Sequence, residues 1–325
     1  MTLSFDVPDL PLAPRLPEIE AAVTAGDLVL TAAPGAGKSS LVPFAVEAAL
    51  SRRGSGGGRV VMLQPRRLAA RATAARLAEL LGEPIGRSVG FTIRGERRPG
   101  RRIEVVTEAI LTNRLQRDPE LAGVGAVIFD EFHERNLHSD LGLAMAIEAR
   151  STVRPDLGIV VMSATIDPDP IAALLAVDHH PVTRLEATGR VFPVDIEHRA
   201  RPMPAQWTGA TAAAIDEAVQ RVEGDVLAFA PGRAEIDRVI TGLSPTTRSR
   251  CRVIGLHGSS SSEVQRTVLA PADQRRVIVA TAIAETSVTI PGVEAVVDGG
   301  LSRRPRYDPT TATSHLMTGH VSRFS

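Results

Sequence analysis

The chain has 325 residues, 43% of them hydrophobic, and its 37 basic residues balance 37 acidic residues to a formal net charge of zero. This length predicts about two globular domains, each with enough apolar residues for a core. Zero net charge excludes a global field that attracts nucleic acid, so any such binding must depend on local groups of arginines. The single cysteine, Cys251, excludes an internal disulfide and a zinc knuckle and fits a reducing compartment.

The sequence contains no signal for secretion or for membrane insertion. Residues 1–18 carry acids and four prolines instead of a basic region followed by an apolar core. No apolar run approaches the ~20 residues that span a bilayer. We therefore expect a cytoplasmic protein with no membrane partner.

Short β-branched segments alternate with helical segments along the chain. Two of the predicted helices are residues 39–50 and 68–81. The segments predicted as strands lack polar alternation, which is typical of parallel sheets covered by helices on both faces, and the repeated strand-helix order predicts a doubly wound α/β architecture. These strands are residues 27–31, 59–64, 103–107, 125–130, 158–163, 225–230, 252–256, 276–281 and 294–298.

The strand-helix order is interrupted between about residues 178 and 208, where four prolines occur and no helical period is present. We place the domain boundary near residues 186–193, which predicts domains at residues 1–187 and 188–325. Residues 51–58 are expected to form a flexible loop and residues 259–262 a polar turn.

The one lysine of the chain, Lys38, lies in the segment Ala33-Pro34-Gly35-Ala36-Gly37-Lys38-Ser39, whereas the other 36 basic residues (37 minus 1) are arginines. A position that keeps lysine against this bias needs a compact ammonium group. A glycine turn between a strand and a helix is typical of a P-loop, in which backbone N–H groups and the lysine bind phosphates and the next hydroxyl holds Mg²⁺. The residues predicted to bind nucleotide are Pro34, Gly35, Ala36, Gly37, Lys38, Ser39 and Ser40.

One position departs from the full P-loop fingerprint, because the chain has Ala32 where the pattern has glycine. The strand, the turn and the helix nevertheless follow in the required order. The alternative is an ordinary glycine-rich turn that caps a helix.

Two acids, Asp130 and Glu131, follow a predicted buried strand and precede Phe132 and His133. In a P-loop domain such acids serve as a magnesium ligand and as the base that polarises the attacking water. We assign Asp130, with Ser39, to the metal and Glu131 to the base. The alternative is a pair of acids at a strand end with no catalytic role.

A zinc protease motif does not fit these histidines. It needs two histidines four residues apart on one helical face, whereas His138 follows His133 by five residues, about 140° further round a helix. The pair His179-His180 lies in the predicted linker and is expected to be solvated. We expect no zinc.

Four further segments resemble helicase motifs Ia, Ib, III and V: Gln64-Pro65-Arg66-Arg67, Thr107-Glu108, Ser163-Ala164-Thr165 and residues 280–290. With the P-loop and the Asp-Glu-Phe-His segment, they make the chain similar to the DEAH-type helicases of superfamily 2. Within that family the Asp-Glu-Phe-His segment, the two arginines after Gln-Pro and residues 89–96 together look most like the HrpB group. The resemblance covers about residues 12–324. It implies a P-loop nucleoside triphosphatase with two RecA-like α/β domains, which uses ATP or another nucleoside triphosphate with Mg²⁺ to move along single-stranded RNA or DNA.

The resemblance also assigns roles to individual residues. It adds His133 to the catalytic group of Asp130 and Glu131, and it implies that two hydroxyl residues couple the nucleotide site to the nucleic acid. The coupling residues are Ser163 and Thr165, and the implied nucleic-acid contacts are Arg66, Arg67, Thr107, Glu108 and Thr281.

Each assignment also has a plain physical reading. Arg66 and Arg67 lie between a strand and a helix, so they can meet phosphates with the help of the helix dipole, but they can also be solvated. Thr107 and Glu108 open a helix, and capping alone would explain them. Ser163 and Thr165 can be simple turn residues.

One motif of the family is missing from these 325 residues. DEAH helicases carry Gln-x-x-Gly-Arg-x-Gly-Arg after motif V, and an arginine finger contributes about 10³ to 10⁵ in rate. The second domain is therefore expected to be incomplete. We expect Arg303, Arg304 and Arg306 to be solvated or to face phosphates. The alternative to a helicase is thus a catalytically weak module that binds nucleotide and nucleic acid; a P-loop kinase is disfavoured because it would not explain the motif V segment.

Overall fold

The computed structural model describes residues 3–53, 58–165, 167–187, 193–200, 202–284, 290–311 and 313–321. The chain divides into two compact units, Met1–Val194 and Asp195–Ser325. Each unit is a layered α/β fold around a parallel sheet with its own apolar clusters, so the predicted fold class is confirmed. The division by contacts falls after Val194, and the domain limits at residues 187 and 188 stay a prediction.

The first unit contains eight strands in one sheet. Their bounds are Asp27–Ala32 (β1), Arg59–Gln64 (β2), Val89–Ile93 (β3), Glu96–Arg98 (β4), Ile103–Thr107 (β5), Val124–Phe129 (β6), Gly158–Ser163 (β7) and Val182–Ala187 (β8). The spatial order is β4-β3-β5-β2-β6-β7-β1-β8. All neighbouring strands are parallel except the pair of β3 and β4.

Helices cover both faces of this sheet. Alternate residues of a strand face opposite sides, and the two apolar clusters of the unit follow this rule: Leu28 and Leu30 of β1 belong to one cluster, and Val29 belongs to the other. Burial on both faces explains why the sequence here reads as an unbroken apolar run. The helices of the unit are Leu16–Ala25 (α1), Lys38–Arg52 (α2), Arg67–Leu80 (α3), Glu108–Arg117 (α4), Leu137–Thr152 (α5) and Pro168–Leu175 (α6).

The second unit contains four parallel strands and a separate hairpin. The four strands are Asp225–Phe229 (β9), Arg252–Leu256 (β10), Arg276–Ala280 (β11) and Val293–Asp298 (β12), in the order β10-β11-β9-β12. The hairpin pairs Leu301–Asp308 (β13) with Thr313–His320 (β14). The helices are Trp207–Arg221 (α7), Arg233–Gly242 (α8), Pro245–Arg250 (α9) and Ser262–Leu269 (α10).

Five of the described strands were not predicted from the sequence. They are β8, which follows His180 within the segment read as a linker, and β3, β4, β13 and β14. β4 and β8 lie at the two edges of the first sheet, where strands are covered less completely and their sequences carry no continuous apolar run. β3 is an internal, fully buried strand, but it is short and Gly90 interrupts its apolar run. In β8 only Leu185 is buried, and in β12 half-buried and exposed residues alternate, against the expected full burial.

Several predicted strands also end one residue earlier than expected. β6 ends at Phe129, β9 at Phe229 and β11 at Ala280. Asp130 and Thr281 therefore lie just beyond their strands, in the turns that follow. A short polar or small residue after an apolar strand gives no signal that separates strand from turn, and this explains the error.

A buried charge network links β2, β3 and β5 of the first sheet to α4. Glu104 of β5 is fully buried and accepts hydrogen bonds from Arg114 at 2.9 and 2.7 Å and from the hydroxyl of Thr92 at 2.6 Å, and Arg59 lies 3.2 Å away. Burial alone would raise the pKa of Glu104, but the hydrogen bonds from Arg114 and Thr92 and the charges of the two arginines outweigh it and hold the pKa below its usual value.

In the described part of the chain, no helix combines the length and the apolar character that crossing a membrane requires.

Candidate functional site

The carboxyl ends of five adjacent parallel strands bring most of the candidate residues together. β5, β2, β6, β7 and β1 are consecutive in the sheet, and in such sheets ligands bind at the carboxyl edge. Three turns at this edge are named here: the glycine turn (residues 33–37), the arginine turn (residues 64–67) and the acidic turn (residues 130–134). Thr281 occupies the equivalent place after β11, in the second unit.

The glycine turn joins β1 to α2 in the way a phosphate-binding turn requires. Gly35 and Gly37 have φ angles of 76° and 99°, in the left-handed region that favours glycine. A Cβ on Gly37 would also lie 3.0 Å from Leu41 and 3.1 Å from Leu10. The turn therefore brings its backbone close to the N-terminus of α2, where free N–H groups and the helix dipole favour an anion.

Lys38 is the first residue of α2 and is 5% exposed. Its Nζ donates hydrogen bonds to the carbonyl oxygens of Ala32, at 2.5 Å, and of Ala33, at 3.2 Å. Burial lowers the pKa of Lys38, while the negative charges of Glu131 and Asp130 oppose this shift. The one lysine thus lies inside the glycine turn and within reach of both acids.

The carboxylate of Asp130 accepts three hydrogen bonds within the site. Its Oδ2 accepts a hydrogen bond from the Ser39 hydroxyl at 2.6 Å and a second from Gln64 Nε2 at 2.6 Å, while Oδ1 accepts from the backbone N–H of Glu131 at 2.9 Å. The residue is 2% exposed. Burial and the adjacent charge of Glu131 raise the pKa of Asp130 to about 6.

The donor set of Ser39 and Asp130 fits a magnesium ion. A hydroxyl and a carboxylate are hard oxygen ligands, which Mg²⁺ prefers, and it binds through one or two carboxylates together with substrate phosphates. Here the hydroxyl belongs to the glycine turn's helix and the carboxylate to the acidic turn, so both oxygens lie between the phosphate-binding backbone and the candidate base.

Glu131 has an unusual backbone conformation for a residue other than glycine, with φ 51° and ψ 38°. Such a conformation costs on the order of 1–3 kcal/mol and persists only where the surrounding structure imposes it, often at a functional site. Burial and the neighbouring charge of Glu134 raise the pKa of Glu131, while Lys38 lowers it, and the net shift is upward. A carboxylate with a raised pKa is a better proton acceptor.

His133 connects the acidic turn to the turn after β7. Its Nδ1 lies 3.5 Å from Glu131 Oε2 and 3.5 Å from the backbone N of Ala164. Burial lowers the pKa of His133, and its Nδ1 accepts a long hydrogen bond from the backbone N–H of Ala164. In the same turn, the buried hydroxyl of Ser163 accepts from the N–H of Thr165 at 3.4 Å, and Thr165 is exposed.

The arginine turn is next to the acidic turn and partly open to solvent. Arg66 occupies the N-cap position of α3, and Arg67 is the exposed first residue of that helix. The side chain of Arg66 is 26% exposed, and its guanidinium lies 3.8 Å from the carboxylate of Glu134. Arg66 therefore lies beside the acidic turn.

The predicted contact of Thr107 and Glu108 with nucleic acid stays a prediction, whereas the alternative reading, capping of a helix, needs a correction. Thr107 occupies the N-cap position of α4, but among the described residues its hydroxyl caps no backbone N–H. Glu108 is buried, and both its carboxylate oxygens accept from Asn136 Nδ2 at 2.5 Å. Burial raises the pKa of Glu108 despite this bond. Asn136 also caps α5 by accepting from Ser139 N–H at 3.0 Å, so this carboxylate holds two helix starts together.

In the second unit, the backbone N–H of Thr281 donates to the carbonyl of Leu256 at 3.0 Å, which ties the turn after β11 to β10. The remainder of the motif V segment, residues 285–289, lies outside the described residues. Arg303 lies 3.5 Å from Glu235, and Arg306 is exposed. The side chain of Arg304 lies outside the described part of the chain.

Two residues of the site were not among the predicted site residues. Gln64 contacts Asp130 directly, and Asn136 holds Glu108. The sequence held one indication for Gln64. It is a polar residue at the end of an apolar strand, and another apolar strand is followed by an acid. Asn136 had the ordinary signal of a helix N-cap, which does not predict a second contact.

The glycine turn, the buried lysine and the paired acids at the edge of a parallel sheet define the class of P-loop nucleotide-binding proteins. The family model "DEAD/DEAH box helicase" matches residues 17–174, and the model "Helicase conserved C-terminal domain" matches residues 210–318. The chain belongs to the DEAD/DEAH-box helicase family, and its two units are the RecA-like domains of that family.

Individual relatives agree with this assignment. The chain is 44% identical over 323 residues to the ATP-dependent RNA helicase HrpB of Escherichia coli K12, and 32% identical over 326 residues to HrpA of the same organism. A crystal structure titled DEAH/RHA helicase HrpB of E. coli superposes with a TM-score of 0.83 at 42% identity, covering 97% of this chain and 40% of that one. The resemblance to the DEAH-type HrpB group is therefore confirmed, and this chain spans about two fifths of the length of HrpB.

Proposed function

We propose that this chain is the nucleotide-dependent motor core of an RNA helicase, which couples ATP hydrolysis to movement along single-stranded nucleic acid. One observation carries the proposal: the Ser39 hydroxyl of the glycine turn bonds to Asp130 at 2.6 Å, with Lys38 and Glu131 beside this pair. Phosphate-binding and hydrolytic groups are thus assembled at one edge of one sheet. The domains at residues 1–187 and 188–325 belong to the same proposal.

The residues divide the chemical work as follows. The backbone N–H groups of the glycine turn and the ammonium of Lys38 bind the phosphates, assisted by Pro34, Gly35, Ala36, Gly37 and Ser40 in shaping the turn. Ser39 and Asp130 would hold Mg²⁺, which when bound neutralises charge on the phosphate oxygens. Glu131 orients the attacking water and accepts its proton.

His133 gives the hydrolytic group a link to the rest of the molecule. Its ring accepts from the backbone N–H of Ala164, so the position of the residue 163–165 turn depends on the acidic turn. We assign Ser163 and Thr165 to the coupling between nucleotide and nucleic acid on this basis.

Arg66 and Arg67 are proposed to bind phosphates of the nucleic acid, together with Thr107 and Thr281. Binding through the backbone gives little sequence preference, which suits an enzyme that travels. Glu108 contributes indirectly, since its carboxylate is held by Asn136. RNA is preferred over DNA in this proposal because HrpB and HrpA of E. coli are named RNA helicases.

The test is phosphate release from ATP with Mg²⁺, measured with RNA and DNA single strands of the same sequence and without nucleic acid. Stimulation by RNA, lost in Glu131→Gln protein purified in parallel, supports the proposal. If the chain binds nucleotide and RNA but RNA does not stimulate phosphate release, the chain is a binding module and not a motor. A chain that binds no nucleotide would refute the function altogether.

A further inference from the structure

Gln64 makes a contact that the residue roles given so far leave unexplained. It is the last residue of β2 and is 1% exposed, and its Nε2 donates to Asp130 Oδ2 at 2.6 Å. The Ser39 hydroxyl bonds to the same oxygen at 2.6 Å, and the backbone N–H of Glu131 bonds to Oδ1 at 2.9 Å. Three donors, from the end of β2, the start of α2 and the acidic turn, therefore fix the plane of this carboxylate.

The amide is chemically suited to this position. A buried carboxylate needs donors, but an arginine or lysine would neutralise it and compete with a cation. The amide of Gln64 donates while leaving the negative charge of Asp130 intact. Within the described residues its Oε1 has no hydrogen-bond partner although it is buried, and a buried unsatisfied acceptor in a native structure calls for a specific reason.

Gln64 also belongs to the arginine turn. Pro65 follows it, and Arg66 occupies the N-cap of α3, so only two residues separate Gln64 from the helix. Arg66 in turn lies 3.8 Å from Glu134 of the acidic turn. The arginine turn and the acidic turn are thus joined twice, through the buried amide and through the more exposed ion pair.

We propose that Gln64 is a positioning residue that orients Asp130 for its metal and makes that orientation depend on the arginine turn. A phosphate that binds Arg66 competes with Glu134 for the guanidinium. When Arg66 leaves Glu134, the arginine turn is free to move, and this movement changes the hydrogen bond from the Gln64 amide to Asp130. This inference rests on the proposed nucleotide and nucleic-acid binding of the same edge.

Gln64→Leu tests the first half, since leucine is similar in size and has no donor. Mn²⁺ serves as the probe, and its binding to protein saturated with a non-hydrolysable ATP analogue is measured by electron paramagnetic resonance. We expect the affinity for Mn²⁺ to fall about tenfold to a hundredfold, as for other groups that orient metal ligands. Affinity for the analogue in the presence of EDTA should stay unchanged, because the glycine turn and Lys38 are intact.

Two further variants separate positioning from a general loss of structure. Gln265→Leu is the matched control: Gln265 is also buried, donates to the carbonyl of Ser260 at 2.9 Å and lies in the second unit. It should leave Mn²⁺ affinity unchanged. Gln64→Met keeps the length of the side chain but removes the donor, so it should weaken Mn²⁺ binding as leucine does and remains informative if the leucine variant fails to fold.

The second half is tested by the linkage between RNA and metal. In the original protein, affinity for single-stranded RNA should differ between analogue with Mn²⁺ and analogue with EDTA. The ratio of these two RNA affinities should move towards one in Gln64→Leu but should stay as in the original protein in Gln265→Leu. Unchanged Mn²⁺ affinity in both Gln64 variants, or an unchanged ratio, would overturn the inference. Failure of the original protein to bind analogue in EDTA would instead refute the proposed function.

Discussion

Replacing Lys38 by alanine tests the glycine turn most directly. Lys38 is 5% exposed, and its ammonium donates two hydrogen bonds to backbone carbonyls, those of Ala32 at the end of β1 and Ala33 in the glycine turn. We propose that contacts with two phosphate groups replace them when nucleotide binds. A hydrogen bond to a charged group contributes about 1.5–3 kcal/mol, so two such contacts amount to about 3–6 kcal/mol.

A second effect reduces this loss. The charge of Lys38 lowers the pKa of Asp130 and of Glu131, so its removal raises both pKa values further and leaves less negative charge to repel the phosphates. We therefore expect the lower half of the range, about 3–4 kcal/mol, which is a loss of about 10² to 10³ in affinity. The measurement is titration with a fluorescent ATP analogue.

Two controls show whether contact or charge is responsible. Arg52→Ala removes one positive charge from the other end of α2, about 21 Å away along the helix axis, and should leave affinity unchanged. Lys38→Arg keeps the charge but brings a planar group into a buried turn and should lose affinity as well. Full affinity in Lys38→Ala would refute the phosphate-binding role, and full affinity in Lys38→Arg would refute the argument from lysine shape.

Three more predictions follow from the same geometry. Glu131→Gln should keep analogue affinity and lower stimulated phosphate release by roughly 10² to 10⁴; simultaneous loss of binding would show a structural role instead. Arg66→Ala should reduce the salt dependence of RNA affinity by about one unit of slope, whereas Arg76→Ala, further along the same helix, should not. Glu104→Gln should lower the free energy of unfolding at neutral pH by about 2–3 kcal/mol, less than for a fully buried pair because the arginine partners are partly exposed. The lowered pKa of Glu104 gives stability that is fully present above its ordinary pKa of about 4.3 and is lost as pH falls through the lower, folded value. Urea titrations of the two proteins should therefore begin to converge near the ordinary pKa and meet only below the folded one; a gap that does not narrow in acid would contradict this.

The glycine turn and the central strands could be predicted from sequence because their causes are local. Glycines at left-handed positions, a lone lysine and uninterrupted apolar runs all lie within a few neighbouring residues. Asp130 and Glu131 were found because they directly follow such a run. The roles of these residues stay predictions, since what the structure adds is their proximity.

Contacts between distant segments could not be predicted. The bond between Gln64 and Asp130 joins residues 66 positions apart, and the identity of neither one specifies it. The capping reading of Thr107 was wrong for the opposite reason. Its hydroxyl has the right chemistry for an N-cap, yet it makes no capping hydrogen bond within the described residues. β8 was missed because a strand at the edge pairs with β1 alone and needs no apolar run.

The amino end of the first sheet carries a charge pair that also depends on distant segments. Asp27 begins β1, and its Oδ1 accepts from the N–H of Ile159 in the neighbouring β7 at 2.9 Å. Arg150 bonds to the same carboxylate and donates to the carbonyl of Leu175, at the end of α6, at 2.8 Å. Its guanidinium thus neutralises a buried acid and satisfies a helix end that would otherwise lack a donor.

The second unit repeats this arrangement with different residues. Asp225 begins β9, and its Oδ1 accepts from the N–H of Arg276 in the neighbouring β11 at 2.6 Å. The guanidinium of Arg276 donates to Asp225 Oδ2 at 2.7 Å and to the carbonyls of Val268 and Ala270, at 3.1 and 2.9 Å, at the end of α10. The sequence shows only that an acid opens each apolar strand; the arginine comes from a helix in one unit and from a strand in the other.

These pairs bear on the site at the opposite edge because they fix the register of the strands. A slip of β1 by one residue against β7 would part Asp27 from the N–H of Ile159 and remove a hydrogen bond from a buried carboxylate, which is costly. The same slip would shift the glycine turn by about 3.3 Å along the strand direction. That shift exceeds the 2.6 Å that separates Ser39 from Asp130. The buried acid at one end of β1 thus helps to hold the hydroxyl and the carboxylate together at the other end.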